Sequence, residues 1–205
     1  MKKIHIDIIS DFICPWCYIG KFRLERAISR TEANIEVKTT LRPFQLYPHI
    51  PQGGLPKSSF KGARKPGLGQ ALRKAAEAEK LILNYKKIDR IPNTLEAHRL
   101  MELCENESQK NQLGLALFQC YFEEGRDLED KSILSELGIQ SGLTRQSIHQ
   151  FLHSRDGEKE VSEEIDHLKA EGISAVPSFK VNNEHLITGI HPIKNWLRFF
   201  NRLST

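Results

Sequence analysis

Ile4, Ile6 and Ile8 alternate with His5, Asp7 and Ile9, so residues 4–13 predict a β-branched strand near the middle of a sheet. Pro15 follows at a position suited to the first turn of a helix, and Leu24, Ala27 and Ile28 continue an apolar stripe to about residue 31. Ile35, Val37, Thr39 and Leu41 then alternate with Glu36, Lys38, Thr40 and Arg42, which predicts a second strand. Strand, helix and strand at this spacing form a βαβ unit, with parallel strands and a right-handed crossover.

Periodicity is lost over residues 48–69, where five glycines and four prolines predict a long loop. From about residue 70 to 171 the pattern is helical. Ala97, Leu100, Met101 and Cys104 share one face, as do Leu113, Ala116, Leu117 and Cys120. Asn93-Thr94 has the form of a helix start, and Gly125, Gly138, Gly142 and Gly172 are expected to separate helices. Strand patterning returns late: Ser178–Val181 and His185–Thr188 flank Asn182-Asn183-Glu184 as a hairpin. A final helix after Pro192 places Ile193, Trp196, Leu197 and Phe200 on one stripe, and Trp196, Phe199 and Phe200 are expected to be core rather than part of a dimer face. The outcome is an α/β chain: a β-α-β half, a helical insertion, and a β-β-α half.

Composition changes this picture little. With 205 residues, 39% hydrophobic and 27% charged, the chain can bury a real core without cross-links. A net charge of +4, with signs well mixed, does not point to nucleic acid. Lys57, Lys61, Arg64, Lys65, Arg73 and Lys74 cluster, and a solvated loop and helix start accounts for them. Asp7 and Asp11 interrupt the apolar run after the first lysines, and no stretch is long enough to span a bilayer. The expectation is a cytoplasmic protein with no membrane partner, in which a close cysteine pair is catalytic or metal-binding rather than structural.

That pair is Cys14-Pro15-Trp16-Cys17, at the junction between the first strand and helix. A thiol at a helix N-terminus meets unpaired N–H groups and the positive end of the helix dipole, and both favour the attacking thiolate. Cys17, one turn deeper, can close a disulfide onto Cys14. Cys14 is therefore expected to be the exposed and faster-reacting sulfur, with Cys17 recessed. Pro15 and Trp16 shape access and redox poise without adding charge, and Asp11 opposes activation unless it is itself paired. Zinc is disfavoured, because Cys104 and Cys120 lie on apolar helical stripes and form no second CxxC; no metal is expected. Such pairs span potentials from ~−270 to ~−120 mV, so the tetrapeptide alone leaves the direction of electron flow open.

Several segments in order carry a resemblance. SDFICPWCYIGK (Ser10–Lys21), RPFQLYP (Arg42–Pro48), NTLEAHRL (Asn93–Leu100), LFQCYFEEGRDLED (Leu117–Asp130), GISAVPSF (Gly172–Phe179) and ITGIHP (Ile187–Pro192) resemble the DsbA-like oxidoreductases, in particular the cytosolic FrnE-type branch. The resemblance implies a thioredoxin-like domain formed by residues 1–47 and 172–205 around an inserted loop and helical subdomain, 48–171. It implies a cis peptide at Val176-Pro177 facing the cysteines, with Val176 offering its backbone to an extended substrate. The implied activity is thiol–disulfide exchange with protein or small thiols through a mixed disulfide on Cys14. No tightly bound cofactor is implied, and glutathione is a candidate redox partner. The branch is also similar to 2-hydroxychromene-2-carboxylate isomerases and kappa-type glutathione transferases, so a glutathione-dependent isomerase or transferase is the alternative. His98 is expected to be a structural histidine, His5 and Tyr18 scaffold or surface. Lys57 to Arg90 follows the family only loosely, which leaves the substrate least defined; oligomeric state is open.

Overall fold

The structure, a computed structural model, describes residues 2–60 and 68–204. Lys61, Arg64 and Lys65 of the basic cluster lie outside the described residues. Strand β1 (Lys2–Ser10) is followed by α1 (Pro15–Ile28) and β2 (Ile35–Pro43). β1 and β2 run parallel, with Ile6 opposite Thr39 and Ile8 opposite Leu41. The hairpin β5 (Ser178–Val181) and β6 (His185–Thr188) completes a four-stranded sheet of order β2-β1-β5-β6, in which β5 runs antiparallel to β1. Asn182 and Asn183 turn the hairpin with φ of 51° and 59°, the left-handed conformation asparagine tolerates.

Ile4, Ile6 and Ile8 of the central strand are fully buried, each contributing roughly 1.5–3 kcal/mol by burial. They join Leu24 and Ala27 of α1, Phe179 and Val181 of β5, and Trp196 and Phe200 of α8 (Ile193–Ser204) in one core. Trp196 and Phe200 are thus core residues, as expected, while Phe199 is only half-buried and packs against the core's edge. Ile9 faces the other way, into a smaller cluster with Phe44, Ile173 and Leu168, the last from α7 (Glu158–Ala170).

Between β2 and β5 lie α2 (Leu68–Glu79), α3 (Leu95–Met101), α4 (Glu107–Gln119), α5 (Lys131–Gln140), α6 (Arg145–Leu152) and α7. Three local expectations need correction. The loop region carries a two-residue strand β3 (Leu55–Pro56) and a 3-10 turn, Lys57–Ser59. Helix does not run continuously from residue 70: it ends at Glu79, Lys80 turns left-handed, and the chain returns to pair β4 (Arg90–Ile91) with β3. Pro92 directly after Ile91 favours the extended backbone there. Gly138 is no helix break but lies inside α5, where a Cβ would come within 2.8 Å of Ile148 Cδ1; it lets α6 approach closely. Gly125, Gly142 and Gly172 do sit left-handed at helix ends.

The helix starts follow the side chains available. Asn106, Asp130 and Thr144 accept N–H bonds at the starts of α4, α5 and α6, while Asn93 rather than Thr94 caps α3 by accepting from Leu95. Arg99 of α3 is 1% exposed; it donates to the carbonyls of Phe151, Ser154 and Asp156 and pairs with Glu96. It thereby pins α3 to the turn between α6 and α7.

Candidate active site

β1 delivers the chain directly to the cysteines. Cys14 N–H donates to Asp11 O at 3.0 Å, forming the tight turn out of the strand, and Cys14 caps α1 with its sulfur accepting from Cys17 N–H at 3.4 Å. Pro15 fills the first helical position, where it lacks only a hydrogen the helix does not use. Both thiols are free.

The expected contrast in exposure does not hold: Cys14 is 3% exposed and Cys17 0%. What distinguishes them is the space they border. Cys14, Pro15 and Trp16 line a cavity of about 890 Å³, whereas Cys17 does not reach it. Burial, then the neighbouring Cys14, pushes the Cys17 thiol well above its ordinary value. The Cys14 thiol points to Val176 O at 3.8 Å, and the Val176-Pro177 bond is cis, as the resemblance implies. Gly20 on α1 makes this approach possible, since a Cβ there would meet Pro177 Cγ at 3.1 Å and the Phe179 ring at 3.2 Å.

Asp11 is fully buried beneath the turn. Its Oδ2 accepts from Leu46 N–H at 2.7 Å and Oδ1 from Ile13 N–H at 3.4 Å, so one carboxyl ties the cysteine turn to the chain leaving β2. Burial raises it to about 6, partly offset by these bonds and one from Thr94. His98 Nε2 lies 3.9 Å from Asp11 Oδ1, yet the contact is no ion pair. Burial lowers His98 to about 4, so its ring is neutral when Asp11 is charged, and Nε2–H donates to Phe44 O at 3.0 Å. A structural histidine, as expected, thus sits directly behind a site residue.

The cavity wall is largely apolar: Leu46, Phe60, Leu72, Leu83 and Phe122 face it, with Tyr47, Tyr85 and Tyr121. Lys57 and Arg73 stand at the same wall; the Lys57 ammonium donates to Tyr85 O. Glu79 anchors α2 to α1 through Arg23 (2.8 Å) and Arg26 (2.9 Å). A π-helical turn, Cys120–Glu124, aims Tyr121 at the cavity while Glu123 accepts from Tyr18 O–H at 2.6 Å. Tyr18 is therefore scaffold, stacked on Phe118 and Phe122, and His5 is a surface residue paired with Asp7. A second cavity, of about 780 Å³ between β6 and α8, includes neither cysteine. Cys104 and Cys120 are buried, and burial raises their thiols to about 11 and about 12. Among the described residues no cluster of three or more His, Cys, Asp or Glu could hold a metal, and no helix is long and apolar enough to cross a membrane.

Asp11, Cys14, Pro15, Trp16 and Cys17, singled out from the sequence, and Val176 and Pro177, implied by the resemblance, share one neighbourhood. Sequence reasoning missed Tyr47, Leu83 and Tyr85 of the wall, which lie in irregular chain where periodicity carries no signal, and Tyr121, which a π-helical turn aims at the cavity.

The model of the DSBA-like thioredoxin domain matches residues 5–200. The chain belongs to this family. A relative, the Bacillus subtilis (strain 168) uncharacterized protein YwbO, is 25% identical over 185 residues, 88% of each chain. A Streptomyces coelicolor structure described as a probable DsbA oxidoreductase superposes with TM-score 0.83 at 24% identity, covering 98% of this chain and 90% of that one. The 2-hydroxychromene-2-carboxylate isomerase structure superposes with TM-score 0.73 at 13% identity, covering 98% and 94%. The helices between β2 and β5 are thus the inserted region of a DSBA-like, thioredoxin-like fold.

Proposed function

We propose that this DsbA-like oxidoreductase exchanges a Cys14–Cys17 disulfide or dithiol with thiol substrates through a mixed disulfide on Cys14. The observation that carries this reading is the asymmetry of the pair: one sulfur borders a large cavity, and its partner sits one helical turn behind, sealed from it. In the oxidising direction a substrate thiolate attacks Cys14 Sγ. The bond to Cys17 breaks and leaves its electron pair on Cys17. A second substrate thiolate then attacks the substrate sulfur, forming the substrate disulfide and releasing Cys14. Two electrons pass from the substrate dithiol to the protein disulfide. The reducing direction reverses each step.

Val176, whose carbonyl faces Cys14, supports a role in aligning the backbone of an extended substrate. The apolar wall favours sulfurs flanked by hydrophobic groups, on a protein or a small molecule. Glutathione is proposed as a soluble redox partner rather than a resident cofactor, in a cytoplasmic setting.

The test is trapping. Cys17→Ser should accumulate a covalent substrate adduct on Cys14, visible by mass spectrometry, and Cys14→Ser should accumulate none. A Cys14→Ser/Cys17→Ser double variant that kept full exchange activity would sink the dithiol reading. Persistence of glutathione-dependent isomerisation in that variant would point to the isomerase chemistry instead.

A further inference from the structure

Ser10 closes β1 with 2% exposure, and its Oγ has no hydrogen-bond partner among the described residues. Such a hydroxyl is rare in a folded protein and calls for a reason. It lies beside the Cys17 sulfur, whose surroundings offer a negative charge two donors, the Ser10 hydroxyl and the Asp11 backbone N–H.

We propose that the Ser10 hydroxyl is held in reserve as a hydrogen-bond donor to the Cys17 thiolate, which exists only while the pair is exchanging. The inference rests on the exchange reading above. In either direction Cys17 must carry charge in a fully buried position. When a substrate attacks Cys14, the electron pair of the broken S–S bond is left on Cys17. When a mixed disulfide on Cys14 is resolved, the Cys17 thiolate attacks Cys14 Sγ, the new S–S bond forms, and the substrate leaves as a thiolate. Among the described residues no cation stands against the Cys17 sulfur: Lys21, buried one turn further along α1, is paired with Glu25. The titratable groups facing this spot are Cys14 on the same turn and, behind it, Asp11 with His98. Asp11 turns its carboxylate to the Leu46 and Ile13 N–H groups, and His98 is neutral and bonded to Phe44. A hydroxyl, free to rotate its proton, can leave a neutral thiol unbonded and still turn to an anion.

Resolution can be isolated from attack. Reduced protein reacts with 5,5′-dithiobis(2-nitrobenzoate) first at Cys14, releasing one thionitrobenzoate. Cys17 then attacks Cys14 and releases the second. Ser10→Ala should shift the pH profile of the second release upward by about one unit and slow that release about three- to fourfold at neutral pH, since a tenfold smaller thiolate fraction is partly offset by the greater nucleophilicity of a more basic thiolate. The first release should stay unchanged. Ser10→Thr should resolve like the wild type and Ser10→Val, its near-isostere without a hydroxyl, like Ser10→Ala; this pair serves even if Ser10→Ala fails to fold. Equal resolution rates and pH profiles in Thr and Val variants would overturn the proposal, leaving a water in the adjoining cavity of about 10 Å³ as the serine's partner. Equal slowing of both releases would overturn it as well, by showing a general structural defect. Absence of any first-phase reaction in the wild type would instead refute the exchange reading itself.

Discussion

Replacing either member of the buried Asp11–His98 contact should expose pH slopes of opposite sign in folding stability. Burial lifts Asp11 from 3.8 to about 6 and lowers His98 from 6.5 to about 4. Each displacement exceeds roughly two pH units, and at 1.36 kcal/mol per unit each is worth about 3 kcal/mol. Between pH 3.8 and about 6 the folded chain holds a proton on Asp11 that the unfolded chain has released, so this group's contribution falls as pH rises. Between about 4 and 6.5 the unfolded chain holds a proton on His98 that the folded chain lacks, so this contribution falls as pH drops. In the wild type the two nearly cancel. Asp11→Asn leaves the histidine term, and its stability relative to wild type should climb by about 3 kcal/mol from pH 4 to pH 6. His98→Gln keeps an N–H for Phe44 O and leaves the aspartate term, so its relative stability should fall by a similar amount over the same range. Urea unfolding of the reduced proteins across that range, with m values compared, measures both. If the two variants showed slopes of the same sign, the reasoning would be refuted.

Three further outcomes are expected. Arg99→Met should destabilise the fold by about 3–5 kcal/mol, since it strips three carbonyls and Glu96 of a buried guanidinium; a loss within about 0.5 kcal/mol in thermal unfolding would contradict this. Iodoacetamide at neutral pH should modify Cys14 at least about tenfold faster than Cys17, because only Cys14 borders the cavity and burial raises the Cys17 thiol. Peptide mapping that found Cys17 labelled first would reverse the assignment. Glu79→Gln should weaken the hold of α2 on α1, leaving Arg23 and Arg26 without their shared carboxylate. Hydrogen exchange should then accelerate in α2 while the central strand stays protected; uniform acceleration would argue against a local anchor.

Much of the frame was legible in the chain itself. Ile4, Ile6 and Ile8 against a helix opened by Pro15 announced β1 and α1, because a half-buried strand and a helix start leave local signatures. The late hairpin was readable from Asn182-Asn183, and the cysteine pair from its place between strand and helix. Val176 reached the site through resemblance alone, for nothing local ties it to Cys14 across 162 positions. What escaped were features made by tertiary contact. Cys14 is buried because the insertion folds over it, and the burial of Asp11 depends on Leu46 and Thr94 arriving from elsewhere. Gly138 shows the same limit: glycine suggests a break, and the structure uses it for close packing against Ile148.

The pairing of β1 with β5 also sets an order of assembly. Ile8 finds its partner Phe179 only after the intervening helices have been made, and Cys14 meets Val176 at the same moment. During synthesis the nascent cysteines therefore exist for most of the chain's emergence without the Val176 segment that later faces them, even though the residues of the cavity wall are made earlier. The site is completed only when the sheet closes and brings that segment beside Cys14.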